Sequence, residues 1–363
     1  MKVRAIQTEE PRLEQWRLLS RYSYEPNIAR FFASHGAPPP TEPLAEYIAG
    51  CIRQGEAYFT AATNAPLDIQ PLLLYYGAAN LLAGAGAMLG GRTLPIAGHG
   101  MNLRQSPAGG TRIADLEVVP VGTTSGALQL FTNVFSSGTT FPPGVPWTVE
   151  EVLGSIPDLK EHFVECFPNA RTYVLAVELL RKENVTFERI ALRQFAPDPD
   201  PRKALERVPS LSRAYIRPEF PAGGDYVILR RKLGAEEVGS HSLSGGKWLH
   251  LAHDKAGRLV EPGQLILMLM GLYALGHLSR YFPEQWNPFV RMDPTGERMV
   301  VERFLQIALR YIPNLVLNAL SSERIQFVYP VSAEPKVEIP AGEEELKRLI
   351  RRETEALLRE RTV

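Results

Sequence analysis

The chain has 363 residues, of which 45% are hydrophobic and 22% are charged, a composition typical of a folded protein with large buried cores. Forty basic and forty acidic residues give a formal net charge of zero, so no overall charge attracts the protein to nucleic acid or to an anionic membrane. The only two cysteines, Cys51 and Cys166, exclude a disulfide framework and are typical of the reducing cytoplasm.

Neither the N-terminus nor the apolar segments predict a membrane protein. Residues 1–16 are charged and lack the apolar core of a signal peptide. The longest apolar runs, at 71–89 and 264–278, contain Gly, Tyr or His and fall short of the roughly 20 clean apolar residues of a membrane span. We therefore expect a cytoplasmic protein with no membrane partner.

The first hundred residues have the spacing of helices. Apolar residues recur about once per turn over 11–34, and the prolines of 35–43 then favour an extended linker. A second helix is predicted over 42–62, with Thr41 as its N-cap. The third, over 67–89, is apolar on nearly every side, which predicts a central buried helix.

The segment that follows has turn residues and short β-rich runs. Strands or irregular structure are predicted at 116–121 and 128–135. Residues 148–167 again have a helical pattern, which begins with Thr148 and Glu151 in the spacing of a capping box.

Most of 171–260 predicts β-structure, and the C-terminal part predicts helices. The expected strands are at 171–180, 187–195, 225–232 and 246–253. The expected helices are at 262–282, 297–312, about 313–322, and an amphipathic tail at 343–362.

These elements predict an α+β protein that is mostly α. We divide it into an N-terminal helical region at 1–103, a mixed segment with β-strands at 104–260, and a C-terminal helical region at 261–363 that packs back on the core.

Two groups of polar side chains interrupt apolar helices and are candidates for binding a ligand. Tyr75, Tyr76 and Asn80 share about one turn of the third helix, where they either pack in the core or face a pocket. A second group comprises His277, Arg280 and Tyr281, and its first two members lie on one helix face. This group either forms structural hydrogen bonds or binds an anion through the arginine.

Known cofactor and metal motifs are absent from the sequence. The glycine-rich run at 84–90 follows a helix, whereas a dinucleotide fingerprint follows a strand. His250 and His253 lie three apart in a predicted strand and therefore face opposite sides. We predict no metal and no cofactor.

Three parts of the chain carry a family resemblance: PLLLYYGAANLLAGA followed by GHGMNL, LILMLMGLYALGHLSRYFPEQW at 265–286, and IPNLVLNALSS at 312–322. In these segments the chain resembles the YaaC-like proteins, a bacterial family of largely unassigned role. Asn102, within GHGMNL, is a further ligand-binding candidate.

Residues 42–105 also resemble the HEPN helical domains, in which a helix with paired tyrosines leads through a loop to a histidine. The resemblance implies a HEPN-like helical bundle that often forms homodimers. In many HEPN proteins an Arg and a His separated by four to six residues act as a metal-independent ribonuclease. Arg92 and His99 have six residues between them, although Thr93 stands where the family usually has Asn, Asp or His.

Two classes of function follow. The first is a non-catalytic binding or regulatory protein that recognises a nucleotide, RNA or a protein partner through a pocket between its halves. The alternative is a ribonuclease, in which His99 takes the proton of a ribose 2′-hydroxyl and Arg92 binds the phosphate. Without catalysis, His99 caps a helix or bonds a backbone carbonyl, and Arg92 is a surface residue. The zero net charge and the imperfect motif favour the first class.

Overall fold

The fold is α+β, with about 50% helix and 17% strand. It is known from a computed structural model, which describes residues 2–105, 112–182, 185–198, 200–235 and 237–329. Within these residues the α-helices are α1 Pro11–Ser20, α2 Glu25–Ser34, α3 Glu42–Thr63, α4 Gln70–Gly90, α5 Ala127–Phe135, α6 Val149–Leu153, α7 Lys160–Cys166, α8 Pro201–Glu206, α9 Leu211–Ala214, α10 Gln264–Tyr281, α11 Pro283–Met292 and α12 Arg298–Ala319.

The strands form four small sheets. They are β1 Val3–Gln7, β2 Met101–Arg104, β3 Glu117–Pro120, β4 Trp147–Thr148, β5 Val174–Lys182, β6 Val185–Ala191, β7 Tyr226–Leu229, β8 Ser240–His241, β9 Lys247–His250, β10 His253–Lys255, β11 Arg258–Val260 and β12 Arg324–Val328. The largest sheet is antiparallel in the order β7-β6-β5-β9-β8, and β2-β3-β4 forms a three-stranded sheet. Strand β1 pairs in parallel with β12, so the beginning of the chain lies beside the strand that follows α12.

Helix α4 is the central helix of the larger core, as its apolar sequence predicts. It packs against α3, α10 and α12, and its glycines allow the backbones to approach closely. A Cβ added at Gly84 would lie 3.0 Å from the Cβ of Cys51, and one added at Gly77 would lie 2.8 Å from Cδ2 of Phe59. Small residues are therefore required where α4 crosses α3.

Helix α4 also has the length and hydropathy of a membrane span, as does the bent pair α10–α11. However, 67% of the most apolar window of α4 is buried inside the fold. Core helices of soluble proteins pass the same test, and the contacts of α4 are those of a core helix.

A second core belongs to the five-stranded sheet and the short helices α8 and α9. It includes Phe195, Leu205 and Tyr215, which pack against the face of the sheet. We call this part, residues 173–251, the β-lobe, and the remainder the helical core. Hydrogen bonds join the two, since the hydroxyl of Tyr311 in α12 donates to the carbonyl of His241 in β8 at 2.9 Å.

The strand predicted at 128–135 is wrong, because these residues form α5. Its buried residues Ala127, Leu128, Phe131 and Thr132 have helical spacing, and they face the helical core. The β-branched and aromatic composition favours a strand locally, but burial of one helical face outweighs that preference.

Three further differences concern where helices begin and end and how many helices form. The helix predicted over 11–34 is divided by a 3₁₀ turn at Arg21–Ser23, after which Tyr24 is extended. Two helices are predicted at 297–312 and about 313–322, but the structure has the single helix α12, Arg298–Ala319. It continues through Pro313 because the residues around this proline are buried. Helix α11 was not predicted, and the amphipathic tail predicted at 343–362 lies outside the described residues.

The capping box predicted at the start of 148–167 is confirmed. The backbone N–H of Glu151 donates to the hydroxyl of Thr148 at 3.1 Å, and the Glu151 carboxylate accepts from the Thr148 N–H at 2.9 Å. The predicted N-cap of α3 is Thr41, but its side chain forms no capping bond.

Candidate functional site

Most of the candidate side chains from the sequence meet between the first half of α4 and the second half of α10. We call this group the tyrosine–histidine cluster; it comprises Tyr75, Tyr76, His99, Tyr273, His277, Arg280 and Tyr281. The two helices are antiparallel here and very close, since a Cβ at Gly276 would lie 3.3 Å from the carbonyl oxygen of Pro71.

The backbone on both sides of His99 is fixed by the start of α5. The N–H groups of Ala127 and Leu128 donate to the carbonyls of Gly98 and His99 at 2.8 and 3.1 Å. Gly100 has φ +72°, a left-handed conformation that favours glycine, and its Cβ position is 3.0 Å from the Cα of Gly126. The segment GHGMNL therefore holds the imidazole in one place.

The imidazole of His99 faces buried tyrosines. Its Nδ1 is hydrogen-bonded to the hydroxyl of Tyr75 at 2.6 Å, and its ring centroid lies 5.3 Å from that of Tyr273. Burial, together with the nearby charge of Arg280, lowers the pKa of His99. Burial also raises the pKa of Tyr75. Both groups are therefore neutral at pH 7.

The α10 side of the cluster is more exposed. Arg280 donates from Nη1 to the hydroxyl of Tyr76 at 2.6 Å, and its guanidinium lies 4.9 Å from the ring centroid of Tyr281. The ring of His277 lies 4.6 Å from that of Tyr281, and burial lowers the pKa of His277, with His99 and Arg280 adding to the effect. The enclosed space is about 10 Å³, too small to enclose a ligand.

Asn80, Asn102 and Arg92 lie outside this cluster. The Nδ2 of Asn80 donates to the carbonyl of Tyr76 within the same helix at 2.8 Å, and Asn102 is exposed on β2. Arg92 is exposed and follows Gly91, the left-handed C-cap residue of α4.

The structure does not bring Arg92 and His99 together. His99 bonds Tyr75 near the start of α4, whereas Arg92 lies just beyond its end. The 15 residues from Tyr75 to Gly90 correspond to about 22 Å of helix axis. Among the described residues no hydrogen bond or ion pair joins Arg92 to His99.

A much larger cavity lies between the helical core and the β-lobe, and we call it the inter-lobe cavity. Its volume is about 1120 Å³. The walls are formed by the end of α5 with residues 136–140, by β11 and the start of α10, by the end of α12, and by β8 and α9 of the β-lobe.

The charged lining of the inter-lobe cavity is mostly basic. Arg213, Arg258 and Arg324 line it, with Glu261 as the one acidic residue of the lining, and none of the arginines forms an ion pair within the described part of the chain. The pKa of Glu261 is raised by burial, an effect that Arg213 opposes. Three guanidinium groups and one carboxylate of the described residues line the cavity, so its lining has an excess of positive charge.

Two histidines belong to the same lining. Burial lowers the pKa of His250 to about 4, and its Nε2 is hydrogen-bonded to the hydroxyl of Ser240 at 2.7 Å. Burial and the charge of Arg324 lower the pKa of His241, whereas the Glu237 carboxylate, 3.1 Å from its Nε2, raises it. His250 therefore adds an uncharged hydrogen-bonding group to the lining.

The start of α10 forms part of the same lining. Gly263, Gln264 and Leu265 line the cavity, and the N–H of Gly263 donates to the hydroxyl of Ser136 at 2.9 Å. Gln264 is buried and donates from Nε2 to the carbonyl of Ser155, while its Oε1 has no hydrogen-bond partner within the described residues. The positive end of an 18-residue helix thus adds to the field of the arginines.

The sequence analysis missed this cavity, since its lining comes from six separate parts of the chain. One local signal was present: Gln264 begins the run QLILMLMGLYALG, where it is the only polar amide in an apolar helix. No metal site is formed, because the described residues contain no group of three or more His, Cys, Asp and Glu side chains that could hold an ion.

Comparison with known proteins identifies a family. A family model described as YaaC-like Protein matches residues 42–320, more than three quarters of the chain. No curated protein and no solved structure matches this chain.

Proposed function

The chain belongs to the YaaC-like family, and we propose that it is a non-catalytic binding protein that takes up a nucleotide-sized anion in the inter-lobe cavity. The observation that carries this proposal is a cavity of about 1120 Å³ lined by three arginines that have no carboxylate partner within the described residues. Pockets for small ligands have volumes of about 300–1,000 Å³, and this one is slightly larger than that range.

The chemistry of the lining favours a phosphorylated ligand. Arginine binds phosphate oxygens through two parallel hydrogen bonds, and the positive end of α10 belongs to the same lining. The hydroxyl groups of residues 136–140 supply partners for sugar or base atoms. A recess of this size between two lobes suits a free nucleotide better than a continuous RNA chain or a protein surface.

The alternative function, a metal-independent ribonuclease, needs Arg92 and His99 at a single phosphate. With about 22 Å of α4 between the residues that position them, the geometry favours binding without catalysis. The test is incubation of the protein with mixed RNAs without metal, beside a His99→Ala variant. We expect no cleavage; cleavage that disappears in the variant would overturn the non-catalytic part of the proposal.

Calorimetric titration tests binding. ATP and AMP are titrated into the protein at low salt. Adenosine, which lacks the phosphate, and inorganic phosphate, which lacks the nucleoside, are the comparison ligands. Because a hydrogen bond to a charged group contributes about 1.5–3 kcal/mol, Arg213→Ala and Arg258→Ala should each weaken binding by roughly tenfold or more. Arg92→Ala, an exposed arginine outside the cavity, is the matched control and should bind as the parent does.

Two results would contradict the proposal. One is the absence of binding of ATP and AMP at millimolar concentration. The other is binding that adenosine matches, or that neither cavity variant weakens, since the arginines would then not contact the ligand.

The sequence resemblance supports two more proposals: that α3 and α4 belong to a HEPN-like bundle, and that the protein is a cytoplasmic homodimer. Light scattering of the purified protein measures the mass in solution and tests the second.

A further inference from the structure

The β-lobe has a second pocket on the other side of α9. It lies between α8, α9, residues 215–220 and Lys232, and its volume is about 780 Å³. Arg213 of α9 lines the inter-lobe cavity, whereas Leu211 and Ser212 of the same helix line this pocket. Pro209 lines both spaces, but their charged residues differ, and we call this second space the α9 pocket.

The floor of the α9 pocket is apolar. Leu205 and Leu211 are buried beneath it as members of the β-lobe core, and Phe220 packs against the same core. Ile216 is 52% exposed at its edge. A ligand that covers exposed apolar side chains such as Ile216 removes apolar surface from water, which lowers the free energy.

The rim of the α9 pocket is cationic. The guanidinium of Arg202 lies 4.2 Å from the centroid of the Phe220 ring, and Arg217 and Lys232 also line the pocket. Glu206 is the one acidic residue of this lining. Neither Arg202 nor Arg217 forms an ion pair among the residues that the structure describes.

We propose that the α9 pocket binds an amphiphilic anion with an apolar body and one acidic head, such as a medium-chain fatty acid. The apolar body covers the floor and Ile216, and the head meets Arg202 and Arg217 at the rim. Charge complementarity selects this occupant, because a neutral apolar molecule leaves the two guanidinium groups without a counter-charge. The inference does not depend on the inter-lobe cavity or on its ligand.

Fluorescence of the apolar sulfonate 1-anilinonaphthalene-8-sulfonate tests the proposal. The dye is titrated into the full-length protein and then displaced with dodecanoate, dodecanol or acetate. We expect displacement by dodecanoate at concentrations at least tenfold lower than dodecanol, and no displacement by acetate at the same concentrations.

Two variants and their matched controls locate the site. Ile216→Glu places a negative charge at the apolar edge, and Arg217→Ala removes a cation of the rim; each should weaken dodecanoate binding about fivefold or more. The controls are Leu233→Glu, a fully exposed leucine of the β-lobe outside the pocket, and Arg53→Ala on α3. Equal melting temperatures show that the variants are folded.

Three outcomes overturn the proposal. They are equal binding by Ile216→Glu and Leu233→Glu, equal displacement by dodecanol and dodecanoate, and the absence of any displacement by dodecanoate. Because Arg217 lies outside the inter-lobe cavity, nucleotide binding should be unchanged in Arg217→Ala, so the two proposals fail separately.

Discussion

Asp158 provides a test of how the helical core holds the β-lobe. It lies in the 3₁₀ turn Pro157–Leu159, and both of its carboxylate oxygens accept from the backbone N–H of Leu243, at 3.0 and 3.2 Å. Leu243 belongs to the loop between β8 and β9. The carboxylate therefore connects the two cores through one backbone group.

Burial raises the pKa of Asp158 from 3.8 to about 6, although the Leu243 N–H and the charges of Arg310 and Arg303 lower it. Below pH 3.8 the carboxyl group is protonated in the folded and the unfolded chain alike, so the free energy of unfolding does not change with its titration. Between pH 3.8 and 6 the unfolded chain ionises first, and folding stability falls as the pH rises. Above pH 6 the loss is complete, at about 3 kcal/mol, since one pKa unit corresponds to about 1.36 kcal/mol.

Asp158→Asn removes this titration and keeps one oxygen that accepts from Leu243. Urea unfolding of both proteins, followed by circular dichroism between pH 4 and pH 7.5, gives the free energy of unfolding at each pH. Contributions of the other titrating groups cancel in the difference between the proteins. We expect the free energy of unfolding of the variant, relative to the parent, to increase by about 2.4 kcal/mol over this range, because about 0.6 kcal/mol of the change occurs below pH 4.

A difference that stays constant between pH 4 and pH 7.5 would refute this reasoning, because it would place the pKa of Asp158 in the folded protein near its unfolded value. A difference that decreases with pH would mean that the ionised carboxylate stabilises the contact with Leu243. Glu9→Gln, an exposed carboxylate in the loop between β1 and α1, is the control for a general effect of charge removal.

Two further substitutions test the close helix contact and the capping box by thermal or urea unfolding. Gly77→Ala should destabilise the protein by about 1–3 kcal/mol, because the new Cβ overlaps Phe59. In Gly50→Ala no atom lies within 4 Å of the Cβ position, so this variant should be neutral or stabilised by up to about 1 kcal/mol, and equal effects of the two would contradict the packing of α3 on α4. Thr148→Ala should lower the free energy of unfolding by about 1 kcal/mol through loss of its capping bond, and Thr41→Ala, at an N-cap without such a bond, should lower it less; an equal or larger loss at Thr41 would contradict this assignment.

The features that the sequence predicts correctly are those set by local pattern. The apolar residues of α4 identify a central helix without reference to its neighbours, and the Thr148 capping box is complete within four residues. Residues 128–135 show the limit of such patterns. Their β-branched and aromatic residues also form a helix when Leu128 and Phe131 are buried in a core. The residues of that core come from distant parts of the chain.

The inter-lobe cavity shows the same limit for function. Arg213, Arg258 and Arg324 are far apart in the sequence and lie on three different elements, so no spacing links them. They line one cavity only when the β-lobe packs against the helical core. Sequence patterns therefore identify most residues of the tyrosine–histidine cluster, which lie on α4, on α10 and in the segment after α4. They do not identify Tyr273 of this cluster or the larger inter-lobe cavity.

A polar residue in an apolar helix indicates function only when its hydrogen bonds inside the protein are incomplete. Arg280 donates to Tyr76, and His277 packs against the Tyr281 ring and is only half-buried, so its imidazole is open to water. Gln264 is different, because its Oε1 is buried at the wall of the inter-lobe cavity without a partner in the described residues. An unpaired buried oxygen costs free energy that a ligand or a bound water can recover. Oδ1 of Asn314 in α12 is likewise buried without a partner in the described residues, but Asn314 does not line the inter-lobe cavity. Among the unpartnered buried side chains of the described helices, Gln264 is therefore the one that lines this cavity.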